Sequence, residues 1–537
     1  MFKTSHIPSL LLIIGLPVYW LELYVFKSNT GQTTYLATFL FMLISSVLLL
    51  RNAKSIRQSC VDYFIQFSKL TFFLKAIICA GVFLVVCNVL LAAYGAIFPV
   101  HLIQEFDVLN YHITLPKQHL LRGDFSLIKW SPAEFWPMPV AYGLTPYWLV
   151  SEFPNKIPQF IFLLGLITMV IQWTRRLSGN NFLSAHMAVF AVLGSHFIGI
   201  QMGTAMLDLT LCYLLLASVD HFLEKKWLFG VIELCFLFWA KVMLPVQFSL
   251  IGVGLIVLVC VARMIKGNQF VLGHSYVIKQ WSIKKVFNVS GLFILCSALI
   301  AGPFLLRAID NVGTPFYPFQ TGLINGDSLA NDNVEYWEQI ELVADKHKGV
   351  KNSYGQGRDF VAFGKHFWRM AVPTKMRRVN NAFDYPVGLP ILLFIVPFLF
   401  LFLKNLKERK FSLGGAFIIL YWITWWVSTQ QSRFLYIPIV LMFICVASTH
   451  FAKNRLLMSL LVCSLGFVSV SMVGNTKHVF KHSAYDVLRG KDKALVAMNK
   501  TYQRVDGVVV LNTPDVAYAN FPVDVQVNAS QVFVIKQ

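Results

Sequence analysis

The chain has 537 residues, of which 56% are hydrophobic and only 13% are charged, and its formal net charge is +20. Soluble domains usually carry about 25% charged residues, so this composition excludes an ordinary soluble enzyme, a disordered protein and a disulfide scaffold. It predicts an integral membrane protein, whose apolar segments of about 20 residues each cross a bilayer.

Thirteen apolar segments are long enough, or nearly so, to cross a membrane. In chain order their centres lie near residues 17, 42, 85, 165, 193, 213, 234, 252, 297, 395, 420, 441 and 464. No small-residue cleavage site follows the first segment, which favours a retained span over a signal peptide. A shorter, proline-led apolar stretch at 137–150 is interpreted as a helix lying at the outer membrane interface. The predicted fold class is an all-α polytopic membrane protein with about 13 transmembrane helices.

Basic residues recur in every second connection between these segments. They are Arg51, Lys54, Arg57, Lys69, Arg175, Arg176, Lys225, Lys226, Arg263, Lys266, Lys279, Lys284, Lys285, Lys404, Lys407, Arg409, Lys410, Lys453 and Arg455. By the positive-inside rule these connections are cytoplasmic, which places the N-terminus inside and the C-terminus outside. This bias explains the net charge, so membrane lipids are predicted partners and nucleic acid is not.

The alternation divides the chain into three parts. Residues 1–70 form two transmembrane helices and a basic cytoplasmic loop, residues 71–473 form a core with outer loops at about 97–156 and 308–385, and residues 474–537 form a small α/β appendage outside. Strand-like segments at 508–511 and 532–535 and a helix-like segment at 492–498 suggest the appendage. Eight of the nine cysteines lie in apolar segments and are interpreted as buried hydrophobes, not as disulfide or zinc ligands.

The densest polar cluster follows the third segment and contains Glu105, Asp107, Asn110, Tyr111 and His112. In a helix, Asp107, Asn110 and Tyr111 share one face, which would set a carboxylate beside hydrogen-bonding partners. Such a carboxylate could act as a general base. The alternative is that both acids only face solvent. His112 is a candidate phosphate donor or metal ligand, but a lone histidine is more often structural, so no metal site is predicted.

Four sequence pieces, each at an outer membrane boundary, resemble the GT-C superfamily of polyprenyl-phosphate-sugar-dependent glycosyltransferases. The first is Asp107-x-x-x-Tyr111-His112 with the following Pro116-Lys117 and Gly123-Asp124. The others are Pro303–Arg307 with Gly313–Pro318, Phe383–Pro390, and Gln431–Pro438. In this order they cover the chain from about residue 71 to its end. The likeness is to bacterial members related to the protein O-mannosyltransferase and aminoarabinose transferase group.

The resemblance implies a catalytic acid in the first outer loop, which is Asp107, with Glu105 as the second candidate. Protein O-mannosyltransferases carry an adjacent Asp-Glu pair, whereas Phe106 separates the two acids here, which leaves the acceptor open. No cofactor is required if cations hold the donor phosphate. Lys241, Arg307 and Arg433 are the candidates, because they lie at or within apolar segments near the outer side.

These cations have simpler interpretations as well. Arg307 and Arg433 are alternatively snorkelling side chains at helix ends, and Lys241 alternatively marks a hairpin turn. Asp208, also at an outer boundary, either lines the cleft as a second acid or pairs with a neighbouring cation.

The predicted function is transfer of a sugar, with inversion, from a polyprenyl-phosphate donor to an envelope lipid, glycan or protein outside a bacterial inner membrane. The rivals are a transporter or flippase of lipid-linked glycans and a non-catalytic lipid-binding relative. A transporter would place its charges near the bilayer midplane, whereas here they cluster at one boundary. Basic and apolar residues alternate between Phe360 and Met370, which predicts an interfacial helix. The sugar, the acceptor, metal dependence and oligomeric state stay open.

Overall fold

A computed structural model describes residues 3–26, 32–97, 108–126, 132–149, 155–241, 243–265, 269–272, 283–315, 358–371, 386–428, 430–482, 502–505 and 508–511. Within these residues the chain is almost entirely helical. The helices are α1 (Ser9–Leu21), α2 (Gln32–Ser68), α3 (Phe72–Ile97), α4 (Thr114–Arg122), α5 (Pro139–Trp148), α6 (Ile157–Leu177), α7 (Phe182–Leu193), α8 (His196–Gln201), α9 (Asp208–Leu223), α10 (Trp227–Phe238), α11 (Met243–Met264), α12 (Ile283–Val312), α13 (Phe360–Ala371), α14 (Leu389–Lys407), α15 (Leu413–Val427), α16 (Tyr436–Ala447) and α17 (Arg455–His482). Two short parallel strands, β1 (Gln269–Val271) and β2 (Lys410–Ser412), pair with each other, and β3 (Tyr502–Val505) and β4 (Val508–Leu511) form an antiparallel hairpin.

The described residues contain eight helical segments that are long and apolar enough to cross a membrane. They are Thr4–Phe26, Tyr35–Ser68, Phe72–Ile97, Ile157–Leu177, Met243–Met264, Lys284–Val312, Leu389–Lys407 and Arg455–Gly474. Each of the thirteen predicted segments is helical, which supports an all-α membrane protein. Five of the helices, α7, α9, α10, α15 and α16, have only 12 to 16 residues. The predicted number of thirteen spans is therefore not confirmed.

Helix α5 differs from the interfacial helix that the sequence predicts. All ten of its residues are buried, because α1 and α2 pack against it. The α1 contact is backbone to backbone, since a Cβ atom at Gly15 would overlap the carbonyl oxygen of Gly143. Burial on every side explains why α5 has no polar face.

Helix α2 is longer than the predicted span. It continues through residues 51–68, where the sequence predicts a basic loop. Its 37 residues contain no glycine or proline that would end the helix. At about 1.5 Å per residue it is roughly 55 Å long, well beyond the ~30 Å of a hydrocarbon core.

Contacts among the connecting segments sort them into two groups. The basic connections contact one another: β1 pairs with β2, and the Arg455 guanidinium lies 5.9 Å from the Phe73 ring centroid. The remaining connections also contact one another: Lys241, between α10 and α11, has its Nζ 5.2 Å from the ring centroid of Phe434, between α15 and α16. This grouping agrees with the alternation of charge along the sequence. We call the two sides the basic end and, after the predicted orientation, the outer end.

The predicted appendage lies mostly outside the described residues, as do its segments 492–498 and 532–535. The strand predicted at 508–511 is present as β4, and Tyr502 lies opposite Leu511 in the hairpin. All nine cysteines have free thiols. Of the eight in apolar segments, only Cys212, Cys235 and Cys296 are buried, while Cys79, Cys260 and Cys463 are exposed on their helices, so the interpretation as buried hydrophobes is correct for only part of the set.

Candidate functional site at the outer end

A buried ion pair joins the start of α9 to the segment after α10. Lys241 Nζ lies 2.5 Å from Asp208 Oδ1, and Gln201 Nε2 donates to Asp208 Oδ2 at 2.8 Å. The side chains of Asp208 and Lys241 are only 3% and 12% exposed. A charge this shielded from water needs a partner, and each of these two side chains provides one for the other. Of the two interpretations of Asp208, the structure shows the pairing with a neighbouring cation.

The ring of Phe434 brings Arg433 to the same place. Lys241 Nζ lies 5.2 Å from the centroid of this ring, and Arg433 Cζ lies 5.3 Å from it. Phe434 belongs to a single 3₁₀ turn, Ser432–Leu435, between α15 and α16. Two of the three predicted phosphate-binding cations thus share one aromatic neighbour. Together with Asp208 they carry one net positive charge, which suits an anionic ligand.

The end of α3 lies beside this cluster. Gly203, five residues before Asp208, has a φ of +81°, and a Cβ atom there would lie 2.8 Å from Ala92 O. This close approach fixes the α8–α9 turn against the last turns of α3, which ends at Ile97. The segment that follows α3 carries Glu105 and Asp107, which both lie outside the described residues. The last turns of α3 thus lie next to the turn that positions Asp208.

Tyr111 and His112 lie in the helical turn Val108–His112, where the chain is next described. The ring of Tyr111 is 4.4 Å from the His112 ring and 5.7 Å from the Trp136 ring, measured between centroids. His112 is buried. The side chain of Asn110 lies outside the described part. These residues therefore belong to an aromatic layer formed with the 132–138 segment.

Arg307 is held by the protein itself. Its guanidinium donates to Glu134 Oε2 at 2.7 Å, to Glu134 O at 3.1 Å and to Ser126 O at 3.1 Å, and it stacks on Phe125 at 4.6 Å. Among the described contacts none joins Arg307 to Lys241 or Arg433. Arg307 therefore clamps two outer segments together, and it is neither a snorkelling side chain nor part of the Phe434 cluster.

A neutral histidine completes this clamp. His119 Nε2 donates to Ser126 O at 3.1 Å, so Nδ1 accepts from the Tyr142 hydroxyl at 2.9 Å. Burial, together with the positive charge of Arg307, lowers the pKa of His119 well below its usual value. The group next to Arg307 is therefore uncharged at neutral pH.

Helix α13 confirms the helix predicted at 360–370. His366 Nε2 accepts from Trp422 Nε1 at 2.8 Å, and burial lowers the pKa of His366 to about 4. The opposite face leaves Phe360 95% exposed and Trp368 62% exposed. Just before α13, Arg358 donates to the carbonyl oxygens that end α15. Contact of this exposed face with lipid stays a prediction.

Three residues of this region are absent from the sequence-based prediction: Gln201, Glu134 and Phe434. Glu134 is the one acidic residue in the stretch 130–136, which also contains two tryptophans and a phenylalanine. An acid among so many aromatic residues is the sequence signal that could have identified it. Its partner Arg307 is 173 residues away, a separation that no spacing rule detects.

A cavity of about 320 Å³ lies elsewhere, between α2, α3, α6 and α7, with Arg175 and His186 in its wall. Arg175 belongs to a basic connection, so this cavity opens near the basic end and is not part of the cluster around Phe434.

No protein-family model, no curated protein and no solved structure matches the chain. The likeness to GT-C enzymes therefore depends on the sequence motifs alone.

Proposed function

We propose that the chain is a membrane glycosyltransferase of the GT-C type. It moves a sugar from a polyprenyl-phosphate donor to an envelope lipid, glycan or protein, on the outer side of a bacterial inner membrane. The observation that supports this most is the convergence of Asp208, Lys241 and Arg433 at the outer end, beside the last turns of α3.

Lys241 and Arg433 are the donor-binding cations of the proposal. Arginine presents a planar set of N–H donors that matches two phosphate oxygens, and lysine adds a compact charge. Both cations lie over the Phe434 ring, within 5.3 Å of its centroid. Asp208 orients Lys241 through the 2.5 Å ion pair. Because these two cations neutralise the leaving phosphate, the proposal requires no cofactor.

Asp107 is the proposed general base, as in the sequence-based prediction. It takes the proton of an acceptor hydroxyl or amine while the acceptor atom bonds to the anomeric carbon. The bond from that carbon to the phosphate oxygen breaks, and the polyprenyl phosphate leaves with the electron pair, so the configuration inverts. Glu105 is the second candidate for this role.

The test is a transfer assay with purified full-length protein, radiolabelled polyprenyl-phosphate sugars and an envelope extract as the source of acceptors. We expect labelled product from the wild type and a loss of about 10²–10⁴-fold in Asp107→Asn, which cannot accept the proton. Asp62→Asn is the matched control, because Asp62 only accepts from Gln58 at the exposed surface of α2. If Glu105→Gln abolishes transfer and Asp107→Asn does not, the base is Glu105.

Two outcomes support the rival functions. Movement of labelled lipid across a vesicle bilayer without product formation would identify a transporter or flippase. Saturable binding without transfer or transport would identify a non-catalytic lipid-binding relative. Either result contradicts the proposal.

A further inference from the structure

A second cluster of ionisable side chains lies at the basic end, remote from the residues discussed above. His6 belongs to the short turn Thr4–His6, His221 to the last turn of α9, and Glu233 to α10. All three are buried, and one ligand atom from each lies within 4.8 Å of the others. We propose that His6, His221 and Glu233 bind a divalent transition-metal ion of the zinc class.

The donor atoms have nearly the spacing that such an ion requires. Zinc bonds of about 2.0–2.1 Å in a tetrahedron place neighbouring donors roughly 3.4 Å apart. His221 Nδ1 lies 2.8 Å from Glu233 Oε2, and His6 Nδ1 lies 3.8 Å from Glu233 Oε1. These two distances lie on either side of the required value, and the candidate donor atoms of all three residues lie within 4.8 Å of one another.

The balance of charge favours a cation at this position. Among the described residues, the ion-pair partners of the Glu233 carboxylate are the two imidazoles, with no lysine or arginine. The imidazole rings stack with centroids 3.7 Å apart and an angle of 20°. A divalent ion bound by both imidazoles would neutralise the Glu233 carboxylate inside the fold.

The surroundings resemble the outer shell of a metal site. Asp220 Oδ2 lies 3.0 Å from His6 Nε2, so this carboxylate accepts the proton of the nitrogen that faces away from Glu233. Gln172 Nε2 donates to the same carboxylate oxygen at 2.8 Å, and Arg176 pairs with the other one. A carboxylate behind a histidine ligand fixes the ring and raises its basicity, as in carboxylate–histidine–zinc arrangements. Ser9 Oγ donates to Glu233 Oε1 and lies 3.0 Å from the Tyr213 hydroxyl.

The chemistry of the donors selects the kind of metal. Two imidazoles and one carboxylate suit zinc and its neighbours among the transition metals, whereas Ca²⁺ and Mg²⁺ take sets made up of oxygen atoms. Three protein ligands leave one coordination position for water. The ion would fasten the Thr4–His6 turn to α9 and α10. This inference does not depend on the proposed transferase function, because the cluster lies at the other end of the chain's helices.

The test uses full-length protein purified with an affinity tag that contains no histidine. After treatment with a chelator, the protein is titrated with Co²⁺, whose visible absorption reports tetrahedral nitrogen and oxygen ligation, and with Zn²⁺ as a competitor. We expect one equivalent to bind, and Zn²⁺ to displace the Co²⁺ spectrum and to raise the thermal unfolding midpoint of the stripped protein. Absence of both the spectrum and the shift in folded wild-type protein would overturn the proposal.

Variants assign the ligands. His221→Gln and Glu233→Gln should each weaken Co²⁺ binding at least tenfold. The matched control is His186→Gln, because His186 is also largely buried near the basic end but bonds to Phe182 O and the Tyr63 hydroxyl. Binding that survives in a folded His221→Gln, Glu233→Gln double variant would show that the ion sits elsewhere and would also overturn the proposal.

Discussion

The ion pair between Asp208 and Lys241 is the contact whose removal discriminates best between a structural and a substrate-binding role. Asp208→Asn leaves the Lys241 ammonium without its carboxylate in a pocket where the lysine is 12% exposed. Breaking one partner of a buried pair typically costs about 3–5 kcal/mol of stability. Because Lys241 keeps some access to solvent, we expect a value near the lower end, about 3 kcal/mol.

The double variant Asp208→Asn, Lys241→Met removes both charges. Apolar replacement of a buried pair is often neutral, so stability should return to within about 1 kcal/mol of the wild type. Donor use should not return, because the cation proposed to hold the donor phosphate is missing. A charge-assisted hydrogen bond of about 1.5–3 kcal/mol corresponds to roughly a ten- to hundredfold weaker apparent affinity for the donor.

The assay combines denaturant unfolding in detergent with the donor-concentration dependence of transfer, at matched amounts of folded protein. The control is Glu408→Gln, Lys410→Met, which removes an exposed pair of similar length, 2.7 Å, at the basic end and should cost less than about 1 kcal/mol. The reasoning fails if the double variant regains both stability and wild-type donor affinity, since Lys241 would then only neutralise Asp208.

Three further outcomes are expected. Arg433→Lys should weaken donor affinity moderately and Arg433→Ala severely. Equal donor affinities in the wild type and both variants would instead make Arg433 a snorkelling side chain. Gly15→Ala should lower the unfolding midpoint, since the added methyl overlaps Gly143 O and overpacking costs about 1–3 kcal/mol, while Gly252→Ala, with nothing within 4 Å, should not. His366 is neutral in the fold, with its pKa lowered to about 4 from 6.5, so its contribution to stability is complete above pH 6.5 and declines as the pH falls towards 4. Thermal unfolding between pH 7.5 and 4.5 should show a smaller decline in His366→Leu than in the wild type; equal declines would assign the pH dependence to other groups.

Hydropathy predicted where the helices lie but not what surrounds them. Helices α2 and α9 both appear as apolar segments. Only 11% of the residues in the most apolar part of α2 are buried, however, whereas most residues of α9 are buried inside the protein. Lipid and protein interior are equally apolar, so composition alone does not distinguish them. The same ambiguity explains why α5 was expected at an interface and is buried.

The sequence also located charged residues without identifying their partners. The pairing of Asp208 was one of two predicted alternatives, but nothing in the spacing indicated Lys241, 33 residues later. Arg307 was predicted to bind phosphate, whereas its two terminal NH₂ groups donate to the Glu134 carboxylate and to two backbone carbonyl oxygens. The histidines at 6 and 221 escaped notice because each is isolated in sequence and the tertiary fold alone stacks their rings.

The contact between His6 and Asp220 has a consequence for the order of assembly during synthesis. The two residues are separated by 214 positions. At about 5–20 residues per second, roughly 10–45 s pass between the translation of one and the other. During that interval the turn before α1 lacks the buried acids Asp220 and Glu233 that contact His6 in the folded protein. The N-terminal turn therefore gains its buried partners only after α9 and α10 have been synthesised.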